Sequence, residues 1–159
     1  MAEGEAATAS PEETRALARR LGELCRGGEI IFLAGDLASG KTCFVQGLAI
    51  GLGTPEDLRV TSPTFVLHAE YPGRLRLNHL DLYRLDSPSA LDSLGVWDIL
   101  AEEEAVAAVE WPELLGGFPK GRLEIDIRNP GGDRREFSIR ARGKREVGLL
   151  AAWLAPRQV

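Results

Sequence analysis

Two cysteines, two histidines and one methionine are all that a chain of 159 residues carries of these types. Cys25 and Cys43 are too few and too scattered for a closed zinc site or a disulfide framework, so both read as packing residues. His68 and His79 lie eleven residues apart on adjacent expected strands and read as structural rather than as a metal-binding pair. Also missing is any run of about 18 apolar residues of the kind that crosses a bilayer. The N-terminus has no basic region followed by an apolar core, and a cytoplasmic protein with no membrane partner is expected. The net charge of −5 argues against nucleic-acid binding by the surface as a whole. Lysine is scarce too, three of 19 basic residues, a bias compatible with genome base composition or with life at high temperature.

What is present is ordinary for a globular protein: 44% hydrophobic and 27% charged residues. The length suits one domain with a single sizeable core, residues 1–159, with 1–9 expected as a flexible tail. The charge is unevenly spread. From Gly121 to Arg145 eight basic residues face four acidic ones, a local +4 against −9 elsewhere. Arg134, Arg135, Arg140, Arg142 and Arg145 suit a phosphate backbone or an acidic partner, and equally a solvated strand face.

The most informative stretch is GDLASGKTC, residues 35–43, directly behind the apolar run EIIFLA. Gly35 and Gly40 bracket four residues and precede Lys41 and Thr42, the G-x4-G-K-[ST] pattern of a phosphate-binding loop. Glycine permits the backbone to turn successive N–H groups inward at a helix N-terminus, where they cradle phosphates. Lys41 would reach the β- and γ-phosphates and Thr42 would offer its hydroxyl to Mg²⁺. The required context is there: a buried strand at 30–33 before the loop, and Phe44, Val45, Leu48 and Leu52 at helical spacing after it.

Ser10-Pro11-Glu12-Glu13 has the form of a capping box with proline at the first helical position, and opens an amphipathic helix over 11–25. Residues 66–71 and 75–85, joined at Pro72-Gly73, predict a β-hairpin in which Leu75, Leu77, His79 and Asp81 share a face. Short helices are expected at 88–94 and 97–103, a buried strand at 105–111 and a helical turn at 112–115. A second hairpin over 122–141 and a helix over 144–154 close the chain. The fold class is therefore α/β: a phosphate-loop nucleotide-binding fold with a central, mostly parallel sheet flanked by antiparallel hairpins and helices.

A nucleotide site needs a second anchor for magnesium and a group to position the attacking water. Glu110 ends an apolar strand, where phosphate-loop proteins place an acidic residue on the metal side; a surface acid at a strand end has the same appearance. Asp81 suits activation of water, direct metal binding or a structural pairing with Arg84. Thr61-Ser62-Pro63-Thr64-Phe65 is a hydroxyl-rich loop of the type that senses a γ-phosphate, though plain turns use the same residues. Trp111 suits the core or a place against the site.

GDLASGKT, TSPTF, HLDLYR (79–84) and VEWPE (109–113), in this order and spacing, resemble the TsaE family, also called YjeE. The likeness extends from Glu13-Thr14 through GLG (51–53) to LGVWDIL (94–100). The resemblance implies an ATPase of bacterial tRNA threonylcarbamoyladenosine formation, with ATP and Mg²⁺ as cofactors. Its partner would be a complex of TsaB and TsaD, which ATP hydrolysis resets between turnovers. It further implies that Gly35, Asp36, Leu37, Ala38, Ser39, Gly40, Lys41, Thr42, Cys43, Thr64 and Trp111 surround the nucleotide. Thr42 and Glu110 would hold the metal, and Asp81 with Lys41 would serve hydrolysis. The family usually has Gly-Ala where Ala38-Ser39 stand and a second Thr where Cys43 stands, which puts the loop geometry in question. A transient tRNA contact through the basic C-terminal hairpin is a further expectation. The rival readings are a nucleotide-gated binding module without turnover and a small-molecule kinase. The latter would need an acceptor-binding insertion and an arginine-bearing lid. No base-reading motif such as N-K-x-D separates ATP from GTP.

Overall fold

The structure is a computed structural model that describes residues 1–36, 39–61, 67–118 and 120–156. Its centre is built from strands that are apolar on both faces. Strand β2 (Ile30–Ala34, IIFLA) and strand β5 (Ala105–Glu110, AVAAVE) are almost wholly buried and pair in parallel. β4 (Arg76–Asp81) adds in parallel to β5, and β6 (Arg122–Gly131) adds in parallel to β2. The sheet has seven strands in the order β1-β7-β6-β2-β5-β4-β3. Antiparallel pairs flank the parallel centre: β3 (His68–Tyr71) on β4 and β7 (Arg134–Arg142) on β6. Both expected hairpins and the mixed α/β class are thus present.

Two apolar layers cover the sheet. On one face α1 (Pro11–Leu24), α2 (Lys41–Gly51) and α5 (Lys144–Leu154) bury Leu21, Phe44, Leu48 and Trp153 against Ile31, Leu33, Leu77, Val106 and Ile139. On the other, α3 (Pro88–Leu94), α4 (Val96–Leu100) and a 3₁₀ turn (Pro112–Leu115) enclose Ile30, Phe32, Leu80, Val109 and Phe118. At the start of α1 the N-cap foreseen is present, Glu13 N–H donating to Ser10 Oγ at 3.2 Å, but the return bond of the capping box is shifted by one residue: Glu13 Oε1 accepts from Ala9 N–H at 3.2 Å rather than from Ser10. α1 and α2 touch backbone to backbone. A Cβ at Gly47 would lie 2.2 Å from the Arg15 carbonyl oxygen, and one at Gly51 2.2 Å from that of Arg19.

Two expectations need correcting. Residues 1–9 are not a flexible tail: Ala2–Thr8 form β1, paired antiparallel with β7 from Ala2↔Ala141 to Thr8↔Arg135. The segment AEGEAAT has no β-branched residue before Thr8, yet an edge strand needs chiefly its backbone hydrogen bonds. Its end is fixed where Thr8 Oγ1 meets Thr14 Oγ1 at 2.7 Å in a buried contact. The second short helix runs over Val96–Leu100 rather than 97–103, because Glu102 is drawn off to the Asn78 amide (2.9 Å) and the Arg76 guanidinium.

Candidate nucleotide-binding site

The site lies where three strands of the parallel centre end. Alternation along β4 and β5 points Leu77, His79 and Asp81, and Val106, Ala108 and Glu110, to the face that α1 and α2 cover. Asp81 and Glu110 are register partners at the last pair of β4 and β5, and both are buried. Two carboxylates therefore stand side by side at the sheet's C-terminal edge, where ligands bind in open α/β sheets. Glu110 Oε2 lies 2.6 Å from His79 Nε2, and the His79 ring is fully buried, with no partner for Nδ1 among the described residues. Asp81 Oδ1 accepts the Tyr83 N–H at 3.0 Å, which fixes its carboxylate as the chain turns away.

β2 feeds the loop. Gly35 adopts φ 142°, and a Cβ there would stand 2.5 Å from the Ile127 carbonyl oxygen, so the residue must be glycine. Gly40, the N-cap of α2, has φ 108°. Lys41 folds back across the loop and its ammonium donates to the Gly35 carbonyl oxygen at 2.6 Å. The same ammonium sits 3.9 Å from the centre of the Trp111 ring, a cation–π contact. Burial pulls the Lys41 pKa below its ordinary value, while Glu110, Asp81, Glu113 and Asp36 pull the other way. An ammonium so placed is short of solvation and surrounded by acids, and phosphate oxygens would supply what it lacks.

Trp111 is held in the left-handed region at φ 56°, uncommon for a bulky residue. That turn at the end of β5 aims its ring out of the core, under Lys41 and against Tyr83 at 4.9 Å between ring centres. Of its two sequence readings, the place beside the loop is the one observed. Ser39 is buried and its Oγ has no partner among the described residues. Thr42, half-buried, lines a cleft of about 460 Å³ with Arg15, Gln46 and Thr61. Cys43 turns away from that cleft: its thiol donates to the Pro11 carbonyl oxygen at 3.4 Å and receives an Arg15 N–H at 3.6 Å. Leu37, Ala38 and Thr64 lie outside the described residues, as does the rest of 62–66.

Two features were not foreseen. His79, read as structural, touches Glu110; the cue was its i, i+2 spacing from Asp81, which puts both on one strand face. The second half of β6 also lies along the loop. Gly35, Asp36 and Ser39 share a cleft of about 450 Å³ with Asp126, Ile127, Arg128 and Asn129.

With this geometry in view, comparison with known proteins is direct. A family model described as threonylcarbamoyl adenosine biosynthesis protein TsaE matches residues 8–137. The chain belongs to the TsaE family. A TsaE protein of Bacillus subtilis is 40% identical over 140 residues, covering 87% of this chain and 85% of that one. One from Treponema pallidum is 38% identical over 131 residues, covering 82% and 95%. The crystal structure of Bacillus subtilis YdiB superposes with a TM-score of 0.75 at 34% identity, covering 96% of this chain and 94% of that chain. These relatives are TsaE proteins of tRNA threonylcarbamoyladenosine biosynthesis by name. The loop, the Asp81 and Glu110 strand ends and Trp111 all fall within the matched span.

Proposed function

We propose that the protein is a magnesium-dependent ATPase that supports threonylcarbamoyladenosine modification of tRNA by binding and resetting a TsaB–TsaD complex. Membership of the TsaE family sets the pathway. The observation that carries the ATPase reading is one constellation: Lys41 folded over a glycine-bracketed loop, facing the paired strand ends of Asp81 and Glu110.

The residues present fit a magnesium ion. Among the described residues no group of three or more His, Cys, Asp or Glu forms an all-protein cage. Mg²⁺ rarely uses one, preferring one or two carboxylates together with substrate phosphates and water. Thr42 at the start of α2 and Glu110 at the end of β5 would hold it, hard oxygen donors both. His79 occupies one Glu110 oxygen and so fixes the carboxylate's orientation. Bound there, the metal would neutralise charge developing on the β- and γ-phosphates. Lys41 would bind the same phosphates, stabilised by the Trp111 ring beside its ammonium. Asp81, buried and fixed by the Tyr83 N–H, would orient the attacking water or take its proton.

The deciding experiment is steady-state phosphate release by the full chain, with ATP and Mg²⁺, alone and with TsaB–TsaD. Turnover that depends on Lys41 and rises with the complex is the expected result. No turnover under either condition, with ATP still bound, would leave a nucleotide-gated binding module instead.

A further inference from the structure

The basic run of the second hairpin is mostly neutralised by neighbours in the fold. Arg128 pairs with Glu136, Arg140 with Glu3, Arg142 with Glu124 and Arg145 with Glu29. Arg135 differs. Among the described residues it has no carboxylate within ion-pair distance, and its side chain turns inward from the start of β7. One terminal nitrogen donates to the carbonyl oxygens of Gly132 and Arg134, each at 2.7 Å, which pins the guanidinium to the hairpin tip. Its Nε then lies over the phosphate loop, where a Cβ added to Gly40 would stand 3.2 Å away. Fixed by carbonyls beside a loop of phosphate-binding pattern, this guanidinium has donors left unused and, among the described residues, no carboxylate to meet them.

Its position along the loop indicates which part of a ligand it meets. Lys41 is held toward Gly35 and Trp111, on the side of Asp81 and Glu110, and in such loops the lysine reaches the β- and γ-phosphates. Arg135 stands instead over Gly40, and its charge is felt at the Cys43 thiol, the sulfur that Arg15 touches. The Ser39 hydroxyl, which has no partner among the described residues, precedes Gly40 in the same loop.

We propose that Arg135 is a nucleotide-contacting residue, whose guanidinium reaches over Gly40 and donates to the α-phosphate of a bound nucleoside di- or triphosphate. The role rests on the nucleotide-binding reading above. It is a binding role, since the group lies away from the end where the γ-phosphate would leave. ADP and ATP both carry the α-phosphate, so losing the contact weakens both equally and leaves the saturated turnover unchanged.

The test is calorimetric titration of the full chain with ADP and with ATP in the presence of Mg²⁺, together with kcat at saturating ATP. Arg135→Ala should weaken both nucleotides by about 10- to 100-fold, the range for a hydrogen bond to a charged group, with kcat within about twofold of wild type. Arg135→Gln keeps a donor for the hairpin carbonyls and should show the same loss if the alanine variant folds poorly. Arg134→Ala, at the exposed neighbouring position, should bind as wild type does. Unchanged ADP affinity in the Arg135 variants overturns the inference. So does a fall in kcat at unchanged affinity, which would put the guanidinium at the γ-phosphate. Wild-type protein that binds neither nucleotide overturns the nucleotide reading itself.

Discussion

Lys41 sits where burial disfavours its charge. Burial lowers its pKa, and Glu110, Asp81, Glu113 and Asp36 act in the opposite direction. Lys41→Ala should therefore weaken ATP by 100-fold or more in calorimetry; near-normal affinity would mean that the loop does not hold phosphate. Asp81 permits a cleaner substitution. Asparagine retains the Oδ1 acceptor for the Tyr83 N–H and removes only the charge, so Asp81→Asn should bind ATP normally while kcat falls about 100-fold or more. Wild-type turnover in that variant would take Asp81 out of the mechanism. Glu110→Gln likewise keeps an oxygen for His79, yet an amide is a poorer donor to a hard cation. The magnesium concentration for half-maximal rate should rise, and an unmoved magnesium optimum would return Glu110 to a structural role.

At the scale of elements, the loop is positioned by α2, and α2 is positioned by its backbone contact with α1. Gly22, Gly47 and Gly51 make that approach possible, each leaving no room for a methyl group. Gly47→Ala would place a Cβ 2.2 Å from the Arg15 carbonyl oxygen and push the helices apart. A loss of about 1–3 kcal/mol in urea unfolding is expected; an unchanged midpoint would mean that the helices slide apart freely. Elements with a strong local signature were legible in the sequence: the Ser10 cap of α1, the apolar runs of β2 and β5, and the alternation of β6 and β7. β1 was not, because Ala, Gly and Glu signal no strand and its pairing partner β7 is at the other end of the chain, from Ala2↔Ala141 to Thr8↔Arg135. For the same reason the return of Arg135 to Gly40 could not be read. The sequence shows a charge at a turn, and only the twist and register of the hairpin carry it to the loop.

At the scale of the whole molecule, the local excess of positive charge fades once the fold is formed, since Glu3, Glu29, Glu124 and Glu136 sit against the arginines. A tRNA contact through this hairpin would have to compete with those pairs, on a protein of net charge −5. The more demanding question is the rate of hydrolysis. An arginine supplied at the γ-phosphate is worth about 10³ to 10⁵ in rate. Arg135 stands over Gly40, whereas Lys41 is held toward Gly35 and Trp111 with Asp81 and Glu110 acting on its charge. The isolated protein should consequently turn over slowly, and TsaB–TsaD should accelerate it by supplying or ordering groups at the γ-phosphate. Docking is expected to favour the ATP-bound form as well, in which case the complex raises ATP affinity by the same factor, since the two binding equilibria are linked. Phosphate release should rise at least tenfold with the complex, and Lys41→Ala should associate with it more weakly in a pull-down or by interferometry. A fast rate for the isolated chain that the complex leaves unchanged would exclude the resetting role and point to an independent enzyme.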